Sequence, residues 1–358
     1  MSASAEVVIF AGHANGFLQK ALVKIAATAN MSGVRTTFFG AQECEGLYTG
    51  RFVSTVGQPD LPYLVKNFDY RIYDGFLQYL SDDIRRIGYI PRLLFPEFLM
   101  SSLMGVEQQV RISWSQFGAE LYKTPGRRAL MQQLSSLSVV ENIFVHSIGL
   151  RSDAALPLEC RHDKMVFLPE PTYEPDHLYY PSVAASYAKY SVGFFGALSF
   201  GKGLDIFAEA LRRLSQPIPS IICGDPASLN FEFSFSGLPD FCTQRLGNVS
   251  DAELINAIGN CRIIVLPYRK HYEFGTSGIF HQAMLLHRRV VVPDFNPFSA
   301  TATELGVGYT FVPESASSLA RVMEDAVAEA DPAPDTAFVN YPGRQDVYSS
   351  VFSSLGAD

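Results

Sequence analysis

The stretch that most constrains this chain is Cys261–Asp294, CRIIVLPYRKHYEFGTSGIFHQAMLLHRRVVVPD. Its apolar runs, Arg262–Leu266 and Val290–Val292, are rich in β-branched residues and lack the alternation of a half-exposed strand. Such runs are strands of a parallel sheet covered on both faces. Between them Gly278–His287 reads as a helix. Thr276 and Ser277 are residue types that cap a helix start, and Gly278 has no side chain to keep a ligand off the backbone. A helix N-terminus with unpaired N–H groups, preceded by small residues, suits a phosphate or diphosphate.

The rest of the chain repeats this grammar. Glu6–Phe10 is an apolar strand, AGHANGF a glycine turn, Leu18–Ala27 a helix-like stretch and Thr36–Phe39 a second strand. Strand, turn, helix, strand is how a doubly wound α/β domain begins. The turn holds only Gly12 and Gly16, and no acidic residue ends the second strand, so it is not the dinucleotide fingerprint. Further strands are expected at Val110–Ser113, Asn142–His146 and Met165–Leu168. The proline-dense PEPTYEPDHLYYP then reads as a linker. Beyond it come a strand (Val192–Phe195), a glycine-bearing turn (Gly196–Gly203), an amphipathic helix (Leu204–Leu214) and a strand (Ser220–Gly224). Ser250 caps a further helix with Glu253 at its third position, and Ser317–Ala330 is the last helix of this series. The expected organisation is a domain over residues 1–172, a linker over 173–190, a second domain over 191–340 and a terminal segment over 341–358.

Bulk properties exclude several classes. A chain of 358 residues suggests two domains, and 47% hydrophobic with 18% charged residues is ordinary globular composition. A net charge of −8 argues against a nucleic-acid binder. Residues 1–172 carry 16 basic and 16 acidic side chains, so of 28 and 36 in all, 12 and 20 fall in the remainder. A neutral first half beside an acidic second half hints that the first half meets a membrane or an anionic acceptor. The five cysteines (Cys44, Cys160, Cys223, Cys242, Cys261) show no CxxC spacing, so buried reduced thiols in a cytoplasmic protein are expected. The opening MSASAEVVIFAGH lacks the basic n-region of a signal peptide, and no uncharged run is long enough to cross a bilayer.

Two local features have competing readings. Asp82 and Asp83 in LSDDIRR offer an Asp-x-Asp metal site, or else Ser81 caps a helix with two acids in its first turn. The second is the simpler. GYIPRLLFPEFLMSSLMGV is either a membrane-surface patch with Arg85, Arg86 and Arg92, or a core helix broken at Pro96.

The run VLPY…E-x-x-x-S-G…A-M…VVVPD resembles the C-terminal signature of GT-B nucleotide-sugar glycosyltransferases of the family 4 type. Glu273 stands at the first of that family's paired Glu positions, and the second falls on His281. The segment SVGFFGALSFGKGLDIF resembles the family's strand, glycine turn and helix, with Lys202-Gly203 retained and Ala197 at the usual Arg position. WSQFGAELY, with Trp114, Ser115 and Glu120, is similar to an element of the fucosamine (Fuc4NAc) transferases of enterobacterial common antigen, as is the N-P-F ending in Phe298. Ser115 stands where family 4 enzymes often have His.

The resemblance implies an α/β fold of the GT-B type, two Rossmann-like domains facing across a cleft, with a terminal helix crossing back. It implies a hexosyltransferase moving sugar from a nucleoside-diphosphate sugar to a saccharide or lipid-linked acceptor, with no metal and no cofactor. Donor-binding positions would be Gly12, Gly196, Lys202, Asn248, Val249, Thr276, Ser277, Gly278 and His281. Acceptor-binding positions would be His13, Asn15, Trp114 and Ser115, and catalysis would fall to Glu273 and Glu120. Residue chemistry concurs in part: a lysine at a loop-to-helix junction offers a point charge to a diphosphate. Trp114 either stacks on a sugar or buries as an anchor. Peripheral contact with the cytoplasmic membrane face is a further expectation. The rivals are a nucleotide-sugar-binding partner without turnover, and a GT-B enzyme that hydrolyses or epimerises its nucleotide sugar. Retention or inversion at the anomeric carbon stays open.

Overall fold

A computed structural model describes residues 6–10, 35–40, 51–54, 71–90, 93, 96–104, 110–116, 125–145, 164–167, 188–273, 277–295 and 297–329. The described residues up to 167 belong to one compact unit and 188–329 to another.

In the first unit, the described strands are β1 (Glu6–Phe10), β2 (Arg35–Gly40), β3 (Arg51–Ser54), β4 (Arg86–Ile90), β5 (Arg111–Gln116), β6 (Val140–Val145) and β7 (Met165–Phe167). They form one sheet in the order β3-β2-β1-β4-β5-β6-β7, and every pairing is parallel. β1 is buried along its whole length, as its unbroken apolar run requires of a central parallel strand. Even Glu6 is buried: it accepts from Thr37 Oγ1 at 2.5 Å and from Arg86 Nε at 3.3 Å. The described helices are α1 (Arg71–Ser81), α2 (Pro96–Met104) and α3 (Pro125–Ser136).

Three readings of this half need correcting or completing. Ser81 does not open a helix; it closes α1, with its hydroxyl donating to the Gln78 carbonyl at 2.8 Å. The overlooked signal is Tyr73, Phe76, Leu77 and Leu80, all buried and spaced as one helical face. Asp83 is engaged by Arg85, whose guanidinium holds its carboxyl well below the usual range. The reading of GYIPRLLFPEFLMSSLMGV as a core helix broken at Pro96 holds only in its burial: Leu93, Leu99 and Leu103 are buried and Met104 is exposed, but the chain up to Ile90 is strand β4 and Pro96 opens α2.

The second unit holds β8 (Tyr190–Phe195), α4 (Leu204–Arg213), β9 (Ser220–Gly224), β10 (Cys242–Leu246), α5 (Asp251–Gly259) and β11 (Cys261–Val265). It continues with α6 (Gly278–Leu285), β12 (Arg289–Pro293), α7 (Phe298–Leu305), β13 (Gly308–Phe311) and α8 (Ala316–Ala328). Its all-parallel sheet runs β10-β9-β8-β11-β12-β13. Alternate residues of the central strands face opposite layers. Val192, Phe194, Ile222, Ile263, Val265 and Val291 pack with α4 and α8, while Phe195, Cys223, Ile264 and Val292 pack with α5, α6 and α7. The unbroken apolar runs follow from this double cover. Ser250 and Glu253 form a reciprocal capping box on α5. Cys223, Cys242 and Cys261 are buried free thiols, and burial pushes Cys242 up to about 11.

In both sheets the chain starts centrally, works to one edge, then returns past its first strand to build the other side. This is the doubly wound Rossmann order, and it puts a switch point between β1 and β4 and another between β8 and β11.

Beyond β8 the turn is packed so tightly that glycine is obligatory. Gly203 sits at φ 72°, and a Cβ there would collide with the Pro267 carbonyl oxygen. Gly203→Ala is therefore expected to destabilise the protein by more than ~2 kcal/mol, the left-handed backbone and the collision both contributing. Urea denaturation checks this, and an unchanged midpoint would contradict the packing.

Candidate functional site

Open parallel sheets bind ligands outside the carboxyl ends of their strands at the switch point. In the second unit that place is bounded by the loops after β8 and β11. The loop after β8 begins at Gly196, whose φ is 92° and whose N–H donates to the Cys223 carbonyl at 3.0 Å. It ends in a single 3-10 turn, Phe200–Lys202, closed by Lys202 N–H on the Ser199 carbonyl and Gly203 N–H on Phe200. The turn is braced by Ser228 and Asn230, which accept from the N–H groups of Leu198 and Phe200.

The loop after β11 carries Tyr268 into the interior, 1% exposed, then a 3-10 turn over Lys270–Tyr272, then Glu273. Ser277 caps α6 as its sequence suggests: its hydroxyl accepts from Phe280 N–H at 3.2 Å. Gly278, the first helical residue, is half-buried, and α6 places a positive dipole end there.

Lys202 lies at this helix start. A Cβ on Gly196 would sit 3.3 Å from the Lys202 Nζ and 3.4 Å from the Ile279 side chain, so the ammonium and the first turn of α6 flank one spot. The same Nζ is 5.5 Å from the Tyr268 ring centroid, and the Tyr268 hydroxyl is 2.7 Å from Ser277 Oγ. Burial raises the Tyr272 phenol above its ordinary value against the pull of the Lys202 charge, so this phenol stays neutral near neutral pH. An ammonium beside a helix N-terminus, in partial burial, is an arrangement for an anion with oxygens to spare.

The structure brings Gly196, Lys202, Ser277 and Gly278 together. Asn248 and Val249 follow the end of β10, with Asn248 exposed and Val249 packed on the same core cluster as Tyr272. Glu273 is half-buried at the end of its 3-10 turn, its N–H donating to the Lys270 carbonyl at 2.9 Å. His281 is 5% exposed, within α6 and edge-on to Phe280. Gly12, His13, Asn15, Glu120 and Thr276 lie outside the described residues, as does the side chain of Ser115.

Trp114 belongs to the other unit. It is fully buried in β5, between Ile90 and Ile143 of the neighbouring strands, so it has no open face for a sugar to stack on. Of its two readings, the anchor is the one observed. Sequence reasoning passed over Tyr268 and Arg269. Their signal was an aromatic and a cation directly following a buried strand, in VLPYRK.

No protein-family model matches the chain. It is similar to a GDP-mannose:glycolipid 4-beta-D-mannosyltransferase of Xanthomonas campestris pv. campestris, 28% identical over 176 residues, 46% of this chain and 49% of the relative. The chain thus spans about half the length of the curated relatives it matches. Among solved structures, a glycosyltransferase from Rickettsia africae superposes with TM-score 0.62 at 12% identity, covering 98% of this chain and 94% of that one. Anabaena Alr3699/HepE in complex with UDP gives 0.60 at 14% identity, over 98% and 95%. WaaG, a glycosyltransferase involved in lipopolysaccharide biosynthesis, gives 0.61 at 14% identity, over 98% and 100%. These likenesses, with the two sheet orders, establish the GT-B fold.

The Trp114 indole N–H is buried without an acceptor among the described residues, a cost of about 1–3 kcal/mol. Trp114→Phe removes that cost with part of the ring and should change stability by under ~1 kcal/mol, whereas Trp114→Ala should cost about 3–5 kcal/mol. Equal losses for the two variants in chemical denaturation would contradict the anchor role.

Proposed function

We propose that this chain is a glycosyltransferase that moves a sugar from a nucleoside-diphosphate sugar to a saccharide or lipid-linked acceptor in cell-surface glycan synthesis. The observation that carries this is the Lys202 ammonium beside the opening turn of α6 at the switch point of a Rossmann sheet. The named relatives support the same class, one using GDP-mannose and a glycolipid, another holding UDP.

In this reading the diphosphate lies against the N–H groups at Gly278 and Ile279 and against Lys202. As the bond from the anomeric carbon to the diphosphate oxygen breaks, its electron pair leaves with the nucleoside diphosphate. The ammonium and the helix dipole stabilise that growing charge without reorganising, which is where such a site gains most. Two fixed positive elements meet this demand without a divalent cation, and the proposed chemistry is metal-independent. Glu273 holds hydroxyls of the transferred sugar. Main-chain groups at Asn248 and Val249 meet the base, and Glu120 takes the acceptor hydroxyl proton. The proposed place of action is the cytoplasmic membrane face, where a lipid-linked acceptor would be met.

The test is nucleoside diphosphate release from a panel of GDP- and UDP-sugars, with and without glycolipid acceptors. Lys202→Ala is expected to weaken UDP or GDP binding by about 10- to 100-fold, the worth of one or two charge-assisted bonds, and to leave uridine and guanosine binding unchanged. Calorimetry measures both. Failure of the wild-type protein to bind either diphosphate would sink the assignment, and binding with no turnover on any acceptor would favour a non-catalytic partner. Glu273→Ala should lower turnover on the best donor by about 100-fold or more while leaving diphosphate affinity within a few-fold.

A further inference from the structure

Tyr268 occupies an unusual place among the groups around this site. Its side chain is 1% exposed, yet it ends in a hydroxyl, and a polar group so buried needs a partner. It has one in Ser277 Oγ at 2.7 Å. The same Ser277 oxygen accepts from Phe280 N–H, so the phenol is joined directly to the cap that opens α6. The ring meets Tyr272 at 4.8 Å and Phe298 edge-on at 5.4 Å, which leaves it little freedom to turn. Lys202 Nζ lies 5.5 Å from the ring centroid, within range of a cation–π attraction. One side chain therefore touches both halves of the anion site.

Arg269, the next residue, works on the other side of the same loop. Its N–H donates to the Gly201 carbonyl at 3.1 Å, and its Nε donates to Phe200 at 3.1 Å. Its remaining nitrogens pair with Asp205 at 2.5 Å and Glu314 at 3.1 Å, and the guanidinium lies 3.7 Å over the Phe200 ring. Lys202 is flanked in sequence by two residues that Arg269 or its loop holds directly, since Gly201 accepts from Arg269 and Gly203 abuts Pro267.

We propose that Tyr268 is a positioning residue: it sets the Lys202 ammonium and the first turn of α6 at the separation a diphosphate needs, while Arg269 locks the Lys202 turn to the same loop from outside. This rests on the reading of the site as a nucleoside-diphosphate pocket. Neither side chain transfers a proton or contacts the reacting atoms. Their effect is geometric, and sites of this kind lose strength when their charged groups drift by about half an ångström.

The test uses the full chain and four probes, UDP, GDP, uridine and guanosine, in calorimetry. Tyr268→Phe keeps the ring and the Phe280–Ser277 cap but removes the phenol–serine bond. It should weaken the better diphosphate about 3- to 10-fold and leave the matching nucleoside unchanged. Without any ligand, it should also speed amide exchange in the first turn of α6. Tyr268→Leu removes the ring as well and should weaken the diphosphate further; in a Lys202→Ala background that additional loss should shrink, because the ring acts through the ammonium. Should Tyr268→Leu fail to fold, Tyr268→Phe decides alone. Equal loss of nucleoside and diphosphate, or wild-type affinity with wild-type exchange, overturns the positioning role and leaves the pocket standing. If the wild-type protein binds neither diphosphate, the pocket itself is wrong and the positioning role falls with it.

Discussion

The second unit depends on backbone meeting backbone at the carboxyl edge of its sheet. A Cβ on Gly224 would strike the Gly196 carbonyl oxygen, and one on Gly203 would strike that of Pro267. Loops from β8, β9 and β11 thus approach one another more closely than side chains permit. A chain cannot bury such contacts away from water without satisfying its amides, and here it does: Gly196 donates to Cys223, Gly247 to Gly224 and Arg269 to Gly201. The result is a stiff floor on which a few polar side chains can be held in place.

Under the proposed function, that floor is what lets a site in an acidic protein hold an anion. The protein is acidic overall, so attraction at long range does not select for phosphate. Selection is local instead. In the proposed reading it comes from the Lys202 ammonium and the α6 N-terminus, carried on different loops, and their relative position is only as good as the stitching between those loops. Pro267, Tyr268 and Arg269 do that stitching in three consecutive residues: by close packing, by a phenol inside and by a guanidinium outside.

Much of this was legible beforehand at particular residues. The unbroken runs around Ile264 and Val291 announced a doubly covered sheet, Ser277 announced a helix start, and Lys202-Gly203 marked a tight turn with a charge. Where local pattern misled, a neighbour across the fold was the cause. Ser81 followed by Asp82 and Asp83 has the look of an opening helix, but the buried face of Tyr73, Phe76, Leu77 and Leu80 lies before it, and Arg85 claims Asp83. Trp114 has the chemistry of a sugar platform, and its burial in an interior strand, between β4 and β6, denies it an open face.

The amino-acid sequence by itself determined the α/β class, the order of strand and helix in the second half, and the turn chemistry, because these follow from periodicity, capping and glycine within a dozen residues. The family resemblance grouped Lys202 with Ser277, but only the tertiary structure supplies the geometry between them. Lys202 and Ser277 are far apart in the chain and are bridged by Tyr268 only because β8 and β11 are adjacent where the winding reverses. In the sequence Tyr268 shows only as an aromatic directly after a buried strand; its partner, the Ser277 hydroxyl, is set by packing across the sheet edge, which no local pattern encodes.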